Sequence, residues 1–351
     1  METLLGKTLE ELQSVAIGIG LPKFAGKQLA EWLYVRRASS FDEMTNISLK
    51  GREALKSRFC IGRHAPVREA ISNDGTRKYL FAVADYFIES VYIPEDGRAT
   101  LCVSTQIGCK MGCRFCMTGT LGFHGQLFAA EILNQIFEID KIAAQSCCQE
   151  LSNLVYMGEG EPMDNIDNVL RSLEIMTADY GCAWSPKRIT VSTVGVPAMK
   201  RFLDESECHL AVSMHNPFPA ERALIMPAEK LMSITDVVSL IKQYDWTHQR
   251  RVSFEYICWS SGSTPGNTIN NVSIRHAKEL LRLLKGLNCR VNLIRFHAGV
   301  DRQFPSSDEK AMEFFRDYLT NNGLTTTIRK SRGEDILAAC GMLVNALNNN
   351  Q

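Results

Sequence analysis

The spacing of apolar positions changes along the chain. In the first sixty-odd residues it is helical, as in residues 9–17 and 27–35, with a glycine- and proline-containing turn at 18–22 between them. Residues 78–83 and 86–93 are short apolar runs joined by a turn, which is typical of two paired strands. The pattern predicts a small helical region followed by a connecting β segment.

From residue 98 onward, strand-like and helix-like segments alternate. The strand-like segments are apolar and rich in β-branched residues, at 100–105, 153–157, 188–194, 209–214, 252–257, 290–296 and 325–329. Helical patterns cover 128–144, 166–178, 197–204, 234–244, 274–287 and 308–321. This alternation predicts a parallel sheet with helical crossovers. Six or seven units are too few for a closed eight-fold barrel. We therefore expect an α/β fold with an open partial (βα)6-type barrel, and a flavodoxin-like doubly wound sheet is the alternative.

These patterns divide the chain into a small helical domain (1–65), a connecting β segment (66–97) and a barrel domain (98–345). The 351 residues are 45% hydrophobic and 22% charged, as in an ordinary globular protein. No apolar run reaches membrane-spanning length, and the first residues lack the pattern of a signal peptide. Twelve cysteines without an export signal favour the reducing cytosol. We expect a cytoplasmic protein with no membrane association.

The formal net charge is zero, so the total gives no support to a nucleic-acid partner. The distribution of charge along the chain is more informative, because ten basic and only four acidic residues lie between Lys23 and Arg68. With aromatic residues interleaved, this excess of six positive charges is typical of a surface that faces phosphates. A solvated helical face explains the same residues equally well, and the sequence leaves both interpretations open.

The most specific motif is a Cx3CxxC, formed by Cys109, Cys113 and Cys116. Three thiolates at these spacings can hold three irons of a [4Fe–4S] cluster and leave the fourth iron open to a small molecule. A zinc site would need a fourth ligand; His124 is available, but a second CxxC-type pair is not. An open-iron cluster is the group that binds and reductively cleaves S-adenosylmethionine. The motif therefore predicts radical chemistry.

Other polar residues follow the predicted strands at their carboxyl ends, where the active groups of parallel sheets gather. They are Gly160 and Glu161 after the second barrel strand, Ser192 near the end of the third, Ser213, Met214 and His215 at the fourth, and His297 after the sixth. Two further thiols, Cys102 before the cluster motif and Cys340 near the chain end, lack the spacing of a fourth cluster ligand. From spacing alone they are equally well two ordinary buried thiols.

Together these residues resemble the radical-SAM adenine methyltransferases of the RlmN/Cfr family. The resemblance runs through nearly the whole chain, from the helical N-terminal region to the loop around Cys340. The signatures are Arg98-Ala-Thr-Leu-Cys102, the Cx3CxxC, Gly160-Glu161-Pro162, Val191-Ser192-Thr193, Ser213-Met-His215, Val291-Asn-Leu-Ile294, Ile328-Arg-Lys-Ser-Arg-Gly333 and Ala338-Ala-Cys340-Gly341. The pairing of Cys102 with Cys340 is the most specific part of the likeness.

The resemblance implies a role for each candidate residue. Cys109, Cys113 and Cys116 would hold the cluster, and Cys340 would carry the methyl group. Cys102 would release the product and end in a transient disulfide with Cys340, while Glu89 would accept a proton. The expected S-adenosylmethionine pocket comprises Gly160, Glu161, Ser192, Ser213, Met214, His215 and His297. The chain departs from the family pattern at His297, where Asn is more frequent, and at Glu159, where Met is common.

The implied activity is methylation of an adenine carbon, with C2 favoured, in 23S rRNA and in some family members also in tRNA. The implied partners are RNA and a low-potential electron donor such as flavodoxin, and we expect a monomer. The alternatives are methylation at adenine C8, a radical-SAM activase that acts on protein, and a non-catalytic iron–sulfur module that binds RNA. The activase would have no use for the pair of outlying cysteines or for a basic N-terminal domain. The non-catalytic module would bind RNA but produce no 5′-deoxyadenosine.

Overall fold

The computed structural model describes residues 1–146, 149–246, 250–259, 270–297, 306–339 and 341–343. Their strands, in chain order, are β1 (Glu2–Thr3), β2 (Phe59–Cys60), β3 (Arg68–Ile71), β4 (Arg77–Val83), β5 (Tyr86–Glu95), β6 (Arg98–Cys102), β7 (Gln106–Gly108), β8 (Phe123–Gln126), β9 (Asn153–Tyr156), β10 (Ile189–Thr193), β11 (His209–Ser213), β12 (Val252–Cys258), β13 (Cys289–Arg295) and β14 (Thr326–Ile328).

The α-helices of these residues are α1 (Leu9–Gly18), α2 (Ala25–Ala30), α3 (Leu49–Arg58), α4 (Met117–Thr120), α5 (Ala129–Gln145), α6 (Ile166–Thr177), α7 (Met199–Glu205), α8 (Pro219–Arg222), α9 (Ile234–Ile241), α10 (Ile274–Leu284) and α11 (Glu309–Asn321). The second predicted helix continues from α2 as a π-helical turn, Glu31–Val35. None of the helices within the described ranges combines the length and the apolar character needed to cross a bilayer.

The central sheet has ten strands in the order β14-β13-β12-β11-β10-β9-β6-β5-β4-β3. The seven strands from β6 to β14 are parallel and follow one another in chain order, while β3, β4 and β5 extend the sheet by antiparallel pairing. A doubly wound sheet reverses its strand order at a switch point. The uniform order therefore excludes the flavodoxin-like alternative and agrees with the open partial barrel.

Local sequence signals explain where several elements begin and end. Helix α1 starts at Thr8, whose hydroxyl accepts from the Glu11 amide while the Glu11 carboxylate accepts from the Thr8 amide. This reciprocal cap satisfies two amide donors that the first helical turn leaves without partners. Strands β4 and β5 turn at Ala84, whose φ of 49° lies in the left-handed region. The predicted strand pair is thus correct in position and pairing.

The N-terminal region packs directly on the barrel. Buried apolar residues such as Leu4, Leu12 and Leu29 belong to the same continuous core as the barrel residues Leu133 and Leu173. Two arginines reinforce the contact, since Arg63 pairs with Glu138 (Nε–Oε1 2.7 Å) and Arg37 pairs with Asp140, both on α5. The predicted domain limits at 65 and 97 remain a prediction, because the core continues across the first of them.

Candidate active site

The three motif cysteines lie on a loop that a small hairpin bends back on itself. The loop leaves β7, passes through Cys109, Cys113 and Cys116, and enters α4. The Cys109 amide donates to the Gly122 carbonyl (2.8 Å), just before β8. A side chain at Gly108 would lie 2.0 Å from that same carbonyl oxygen, and the residue has a φ of +70°. Glycine is therefore required for the two arms of the loop to approach this closely.

Cys109, Cys113 and Cys116 line one cavity at the carboxyl ends of the parallel strands. Burial raises the pKa of all three thiols, to about 12 for Cys109. They therefore stay protonated until a metal takes the place of the proton. Among the described residues no group of three or more His, Cys, Asp or Glu is arranged around a single metal ion. Three soft donors that share a cavity without converging on one point fit a polynuclear cluster better than a zinc ion.

The turn after β9 forms another wall of this cavity, through Gly158, Gly160 and Glu161. Gly160 has a φ of +98°, and a side chain there would clash with Gln106. The Glu161 carboxylate is fixed by two amides, of Met163 (3.1 Å) and Val194 (2.8 Å). Burial raises its pKa to about 7. The wall thus presents an oriented carboxyl group beside an accessible backbone.

Ser192 and Ser213 line the same cavity from the ends of β10 and β11, and His215 follows directly. His215 has a φ of 55°, a strained conformation for a residue with a side chain. Its backbone is held there by donation to the Glu255 carbonyl (3.2 Å) and by acceptance from the Asn271 side chain (2.7 Å). Its ring meets Phe115 of the cysteine loop edge-on, with 4.9 Å between centroids. The strain therefore places an imidazole against the loop.

The protonation of His215 follows from its contacts. Its Nδ1 accepts from the Ile257 amide (3.0 Å), so the proton of the neutral ring is on Nε2. Burial, and to a lesser extent the charge of Arg222, lower the pKa of His215 to about 3. At neutral pH the residue is therefore an uncharged imidazole with one N–H available as a donor.

Sequence reasoning missed two charged residues of the site. Arg222 is fully buried and donates to the backbone carbonyls of Val194, Ser213 and Met214, so it ties together the ends of β10 and β11. Glu255 lines the cavity from the middle of β12. A carboxylate within the otherwise apolar segment Val252–Cys258 was the available signal for Glu255.

A second cavity adjoins the first. Met157, Ile294, Arg329 and Gly341 line both, so they form a shared wall. Cys102 lines only the second cavity, at the end of β6, and is 9% exposed. Basic residues predominate in the rest of the second cavity, and three of its arginines form ion pairs with carboxylates. Its further charged or titratable lining residues are Glu95, Arg98, Arg295, His297, Lys330 and Arg332.

The other sequence candidates occupy different places. His297 lies in the second cavity, where its Nε2 contacts Ser331 Oγ (2.6 Å), and so it is separated from the five proposed S-adenosylmethionine residues that line the first. Met214 is fully buried beside that group without being among the described lining residues. Glu89 is buried on β5 and forms an ion pair with Lys78 (3.0 Å), and it too is absent from the described linings.

Comparison with known proteins identifies the family. Residues 3–61 match the family model described as the ribosomal RNA large subunit methyltransferase N-terminal domain. A probable dual-specificity RNA methyltransferase RlmN from Bacteroides fragilis is 56% identical over 98% of this chain and 96% of its own length. The corresponding protein of Syntrophus aciditrophicus is 39% identical over 96% of this chain and 94% of its own. The chain belongs to the RlmN family.

A solved structure supports the same conclusion for the whole chain. The crystal structure of a radical SAM methyltransferase from Sphaerobacter thermophilus superposes with a TM-score of 0.88 at 35% identity, covering 97% of this chain and 99% of that one. Membership in the RlmN family confirms the resemblance drawn from the motifs, the partial barrel and the enzyme class, an RNA methyltransferase. At the level of the family it also confirms S-adenosylmethionine and a [4Fe–4S] cluster as cofactors.

Cys340, the expected methyl carrier of this RlmN-family chain, lies outside the described residues. Its neighbours Ala339 and Gly341 both line the cavity that contains Cys102. The segment that follows is attached to the cluster loop, because the Met117 amide donates to the Gly341 carbonyl (2.9 Å) and the Thr118 hydroxyl to the Leu343 carbonyl (2.9 Å). Residues 341–343 therefore reach the junction of the two cavities.

Glu159, one of the departures from the RlmN/Cfr pattern, occupies a buried position between two parts of the site. Its carboxyl oxygens accept from the amides of Glu89 (2.9 Å) and Gly108 (3.4 Å). Burial, and secondly the charge of Glu89, raise its pKa to about 8. Glu159 thus connects the strand of the expected proton acceptor with the start of the cluster loop.

The basic excess of the N-terminal region divides into two groups. Four of its ten cations form ion pairs, namely Arg36, Arg37, Lys56 and Arg63. Lys23, Lys27 and Lys50 are exposed, and none of them has an ion pair within the described part of the chain. Some of the excess therefore attaches the region to the barrel, and the remainder is available to phosphates.

Proposed function

We propose that this RlmN-family enzyme methylates C2 of an adenine in large-subunit rRNA and in tRNA, through a methyl group carried on Cys340. One observation carries the proposal: the cavity of the three motif thiols adjoins a basic cavity that contains Cys102 and the two neighbours of Cys340. The matched N-terminal family model supports large-subunit rRNA as a substrate. The dual specificity in the relatives' names supports a second RNA, which we take to be tRNA.

The lining of the first cavity fits both cofactors. Cys109, Cys113 and Cys116 are the soft donors that an iron–sulfur cluster requires, and three of them leave one iron for another ligand. Gly160, Glu161, Ser192, Ser213 and His215 line the remaining space and would hold S-adenosylmethionine. When bound, the two cofactors supply the methyl group and the radical chemistry that an unreactive aromatic carbon needs.

The protein's own groups would then orient the cofactor. Glu161 offers carboxyl oxygens to an amino group, and its two amide donors keep those oxygens in place. His215 offers an N–H from Nε2, since its Nδ1 is occupied by the Ile257 amide. Because the pKa of His215 is lowered to about 3, this donor keeps its protonation state throughout the physiological range.

Product release would use the two outlying thiols. After the carried carbon has joined the base, the Cys102 thiolate attacks the sulfur of Cys340. The bond between that sulfur and the carbon breaks, its electron pair stays on the carbon, and a proton completes the methyl group. The thiols end as a Cys102–Cys340 disulfide, which an external thiol must reduce. Ala339 and Gly341, the neighbours of Cys340, line the cavity of Cys102.

Glu89 is the proposed acceptor of the proton that the base loses. It lies two residues before Val91 on β5, and so on the same face of the strand. Val91 lines the second cavity and pairs in register with Cys102. Lys78, 3.0 Å from the Glu89 carboxylate, favours its charged form before the proton arrives.

The test distinguishes the roles of the two thiols, Cys102 and Cys340. Cys102→Ala would still form the bond between Cys340 and the base but would lack the thiolate that breaks it. We expect a covalent protein–RNA species that survives denaturation and disappears on nuclease digestion. Cys340→Ala and the double variant would give neither product nor adduct. The control, Cys182→Ala, changes a thiol outside both described linings and should turn over normally. Normal turnover by Cys102→Ala, or an adduct without Cys340, would refute these roles.

The remaining parts of the proposal concern the location, the oligomeric state and the electron donor of the enzyme. We propose a cytoplasmic monomer that receives electrons from a low-potential donor such as flavodoxin. The twelve cysteines favour a reducing compartment, where the Cys102–Cys340 disulfide can be reopened in each cycle. Mass spectrometry of rRNA and tRNA from a deletion strain would identify the methylated atom, and 8-methyladenine in place of 2-methyladenine would refute the assignment to C2.

A further inference from the structure

A cluster of cations lies at the opposite end of the barrel from the two cavities. Lys187, His209, Arg251 and Arg290, here called the lower rim, are at the amino-terminal ends of β10, β11, β12 and β13. Ile257, which lines the cofactor cavity, is six residues beyond Arg251 on β12. At roughly 3.3 Å per residue, the lower rim is about 20 Å from that cavity. It has no part in the chemistry proposed above.

Three residues of the lower rim, His209, Arg251 and Arg290, are on the concave face of the open sheet, the face that carries the active site. Side chains two residues apart share a face of a strand. Arg251 therefore shares its face with Glu255 and Ile257, and Arg290 shares its face with Ile294, all of which line the cofactor cavity. The positions between them, Ser253 and Asn292, are polar and incompletely buried. A polar track thus joins the lower rim to the cavities.

The charges of the lower rim converge. The Arg251 amide donates to His209 Nδ1 (3.0 Å), and Arg290 pairs in register with Ser253, two residues beyond Arg251. Burial lowers the pKa of His209 first, and the nearby charges of Arg251 and Arg290 lower it further. The three side chains are therefore close enough for their charges to interact.

These cations are not neutralised within the described part of the chain. Lys187, Arg251 and Arg290 form none of its ion pairs, although cations on the outer helices, such as Arg201 and Arg282, do. Clustered like charges repel one another, and a bound anion would relieve that repulsion. The ordinary explanation, a solvated charged surface, does not account for the convergence of Arg251 and Arg290 on one concave face.

A depression lies between the two arginines. Arg251 and Arg290 line it together with Asn288 and Thr325, and so does Arg250, whose buried guanidinium donates to backbone carbonyls. Two exposed guanidinium groups and two further polar side chains thus surround one space. Guanidinium groups bind phosphate through paired donors. Thr325 also precedes β14, the edge strand of the parallel sheet, and Arg329 follows that strand at the wall shared by the two cavities.

We propose that the lower rim binds backbone phosphates of the RNA substrate, which reaches it from the active site along the concave face and the edge strand β14. The partner is RNA because the proposed function brings RNA to the other end of this same face, and this inference rests on that function. A polyanion that spans about 20 Å can contact both ends at once, whereas the target adenine alone cannot. The lower rim would thus increase affinity for long substrates.

The test is the double charge reversal R251E/R290E, with K278E/K310E as the control. The control changes the same net charge at exposed lysines on α10 and α11 that have no ion pair in the described residues. The probe is total tRNA, titrated at several salt concentrations. We expect R251E/R290E to weaken binding at least tenfold and to reduce the slope of log affinity against log salt by about two, as for two lost phosphate contacts. The control should change affinity less than about threefold.

A milder pair, R251Q/R290Q, keeps the test valid if charge reversal disturbs folding, and iron content with thermal unfolding checks the fold of each variant. Equal losses in both charge-reversal pairs would show only a long-range effect of net charge and would overturn the proposal. Unchanged tRNA affinity in R251E/R290E would overturn the proposal as well. The proposal would also be overturned if this variant changed only the rate at which an acidic electron-donor protein reduces the enzyme. If the unmodified enzyme bound no tRNA at all, the proposed function itself would fail instead.

Discussion

The two adjoining cavities differ in the charge that they present. The cofactor cavity has buried thiols, glycines, small hydroxyl groups, a neutral imidazole and two buried carboxyl groups, with Arg329 as its one cation among the described lining residues. The second cavity has Arg98, Arg295, Arg329, Lys330 and Arg332 against the single carboxylate of Glu95. A sulfonium cofactor with an amino group suits carboxyl groups, and an RNA strand suits guanidinium groups. The difference assigns one cavity to the cofactors and the other to the substrate.

The contact between the cavities is as informative as their contrast. Arg329 lines both, and its Nη1 lies 3.4 Å from the Glu255 carboxylate of the cofactor cavity. Glu255 is 4% exposed and also accepts from Asn292 (2.8 Å). The two cavities therefore share one charged group, through which a change on one side can affect the other. The predictions below test whether the cavities are as separate as their linings indicate.

The largest expected effect is in the cofactor cavity alone. Cys113→Ala should lose the cluster, which would otherwise hold about four irons per chain, and methylation should fall to background. RNA affinity should change by less than about twofold, because the second cavity and the N-terminal cations are unaltered. Iron and sulfide analysis, with tRNA titration on the same preparation, measures both. Stoichiometric zinc without iron after anaerobic reconstitution would contradict the cluster.

An intermediate effect should appear at the shared wall. Arg329→Met should weaken the binding of both S-adenosylmethionine and RNA, each by roughly five- to tenfold, since the ion pair is partly exposed. The matched control is Lys330→Met, which removes a cation that lines only the second cavity. We expect that control to weaken RNA binding alone. Isothermal titration with each ligand measures both affinities. Identical losses of affinity in the two variants would show that Arg329 is not a shared group.

A smaller effect concerns cations outside both cavities. Exchanging Lys23, Lys27 and Lys50 for Gln should weaken tRNA binding about three- to fivefold and reduce its salt dependence, because phosphate contacts release counterions. Iron content should not change. Substituting these lysines is a cleaner test than removing residues 1–65, since Leu4, Leu12 and other residues of that region belong to the barrel core. Full tRNA affinity in the triple variant would show that these lysines form only a solvated surface.

The smallest effect is a pH dependence of stability. Glu159 titrates near 4.5 when unfolded and at about 8 in the folded protein, because burial raises its pKa. Between these values the folded state binds the extra proton, so stability is present at low pH and lost as pH rises. The slope approaches about 1.4 kcal/mol per pH unit.

Glu159→Gln removes this titration, and its thermal midpoint should therefore fall less steeply than that of the unmodified protein between pH 5.5 and 7.5. The substitution also removes one hydrogen-bond acceptor of the Glu159 carboxyl group. That loss alone would lower the thermal midpoint at every pH without changing the slope of the midpoint against pH. Parallel curves for the two proteins would contradict the raised pKa.

The sequence by itself determined the repeated units and the local chemistry. Alternating apolar segments fixed the strands and crossovers, and Cx3CxxC fixed three soft ligands on one loop, because both are properties of nearby residues. Several predicted boundaries were wrong, and the helices predicted at 234–244 and 274–287 end at Ile241 and Leu284. The strand predicted at 100–105 ends at Cys102, and the helix predicted at 27–35 changes to a π-helical turn after Ala30. Such ends depend on packing that a linear pattern does not record.

Only the tertiary structure decided which residues meet. It placed Glu255 and Arg222 at the site, and it separated His297 from the first cavity. It also paired two N-terminal cations, Arg37 and Arg63, with carboxylates of α5. It also joined Glu159 to Glu89 and Gly108, although 70 and 51 residues separate them along the chain. Charge partners and cavity walls come from the way a parallel sheet brings the ends of distant strands together. Spacing along the sequence does not show which residues become neighbours in this way.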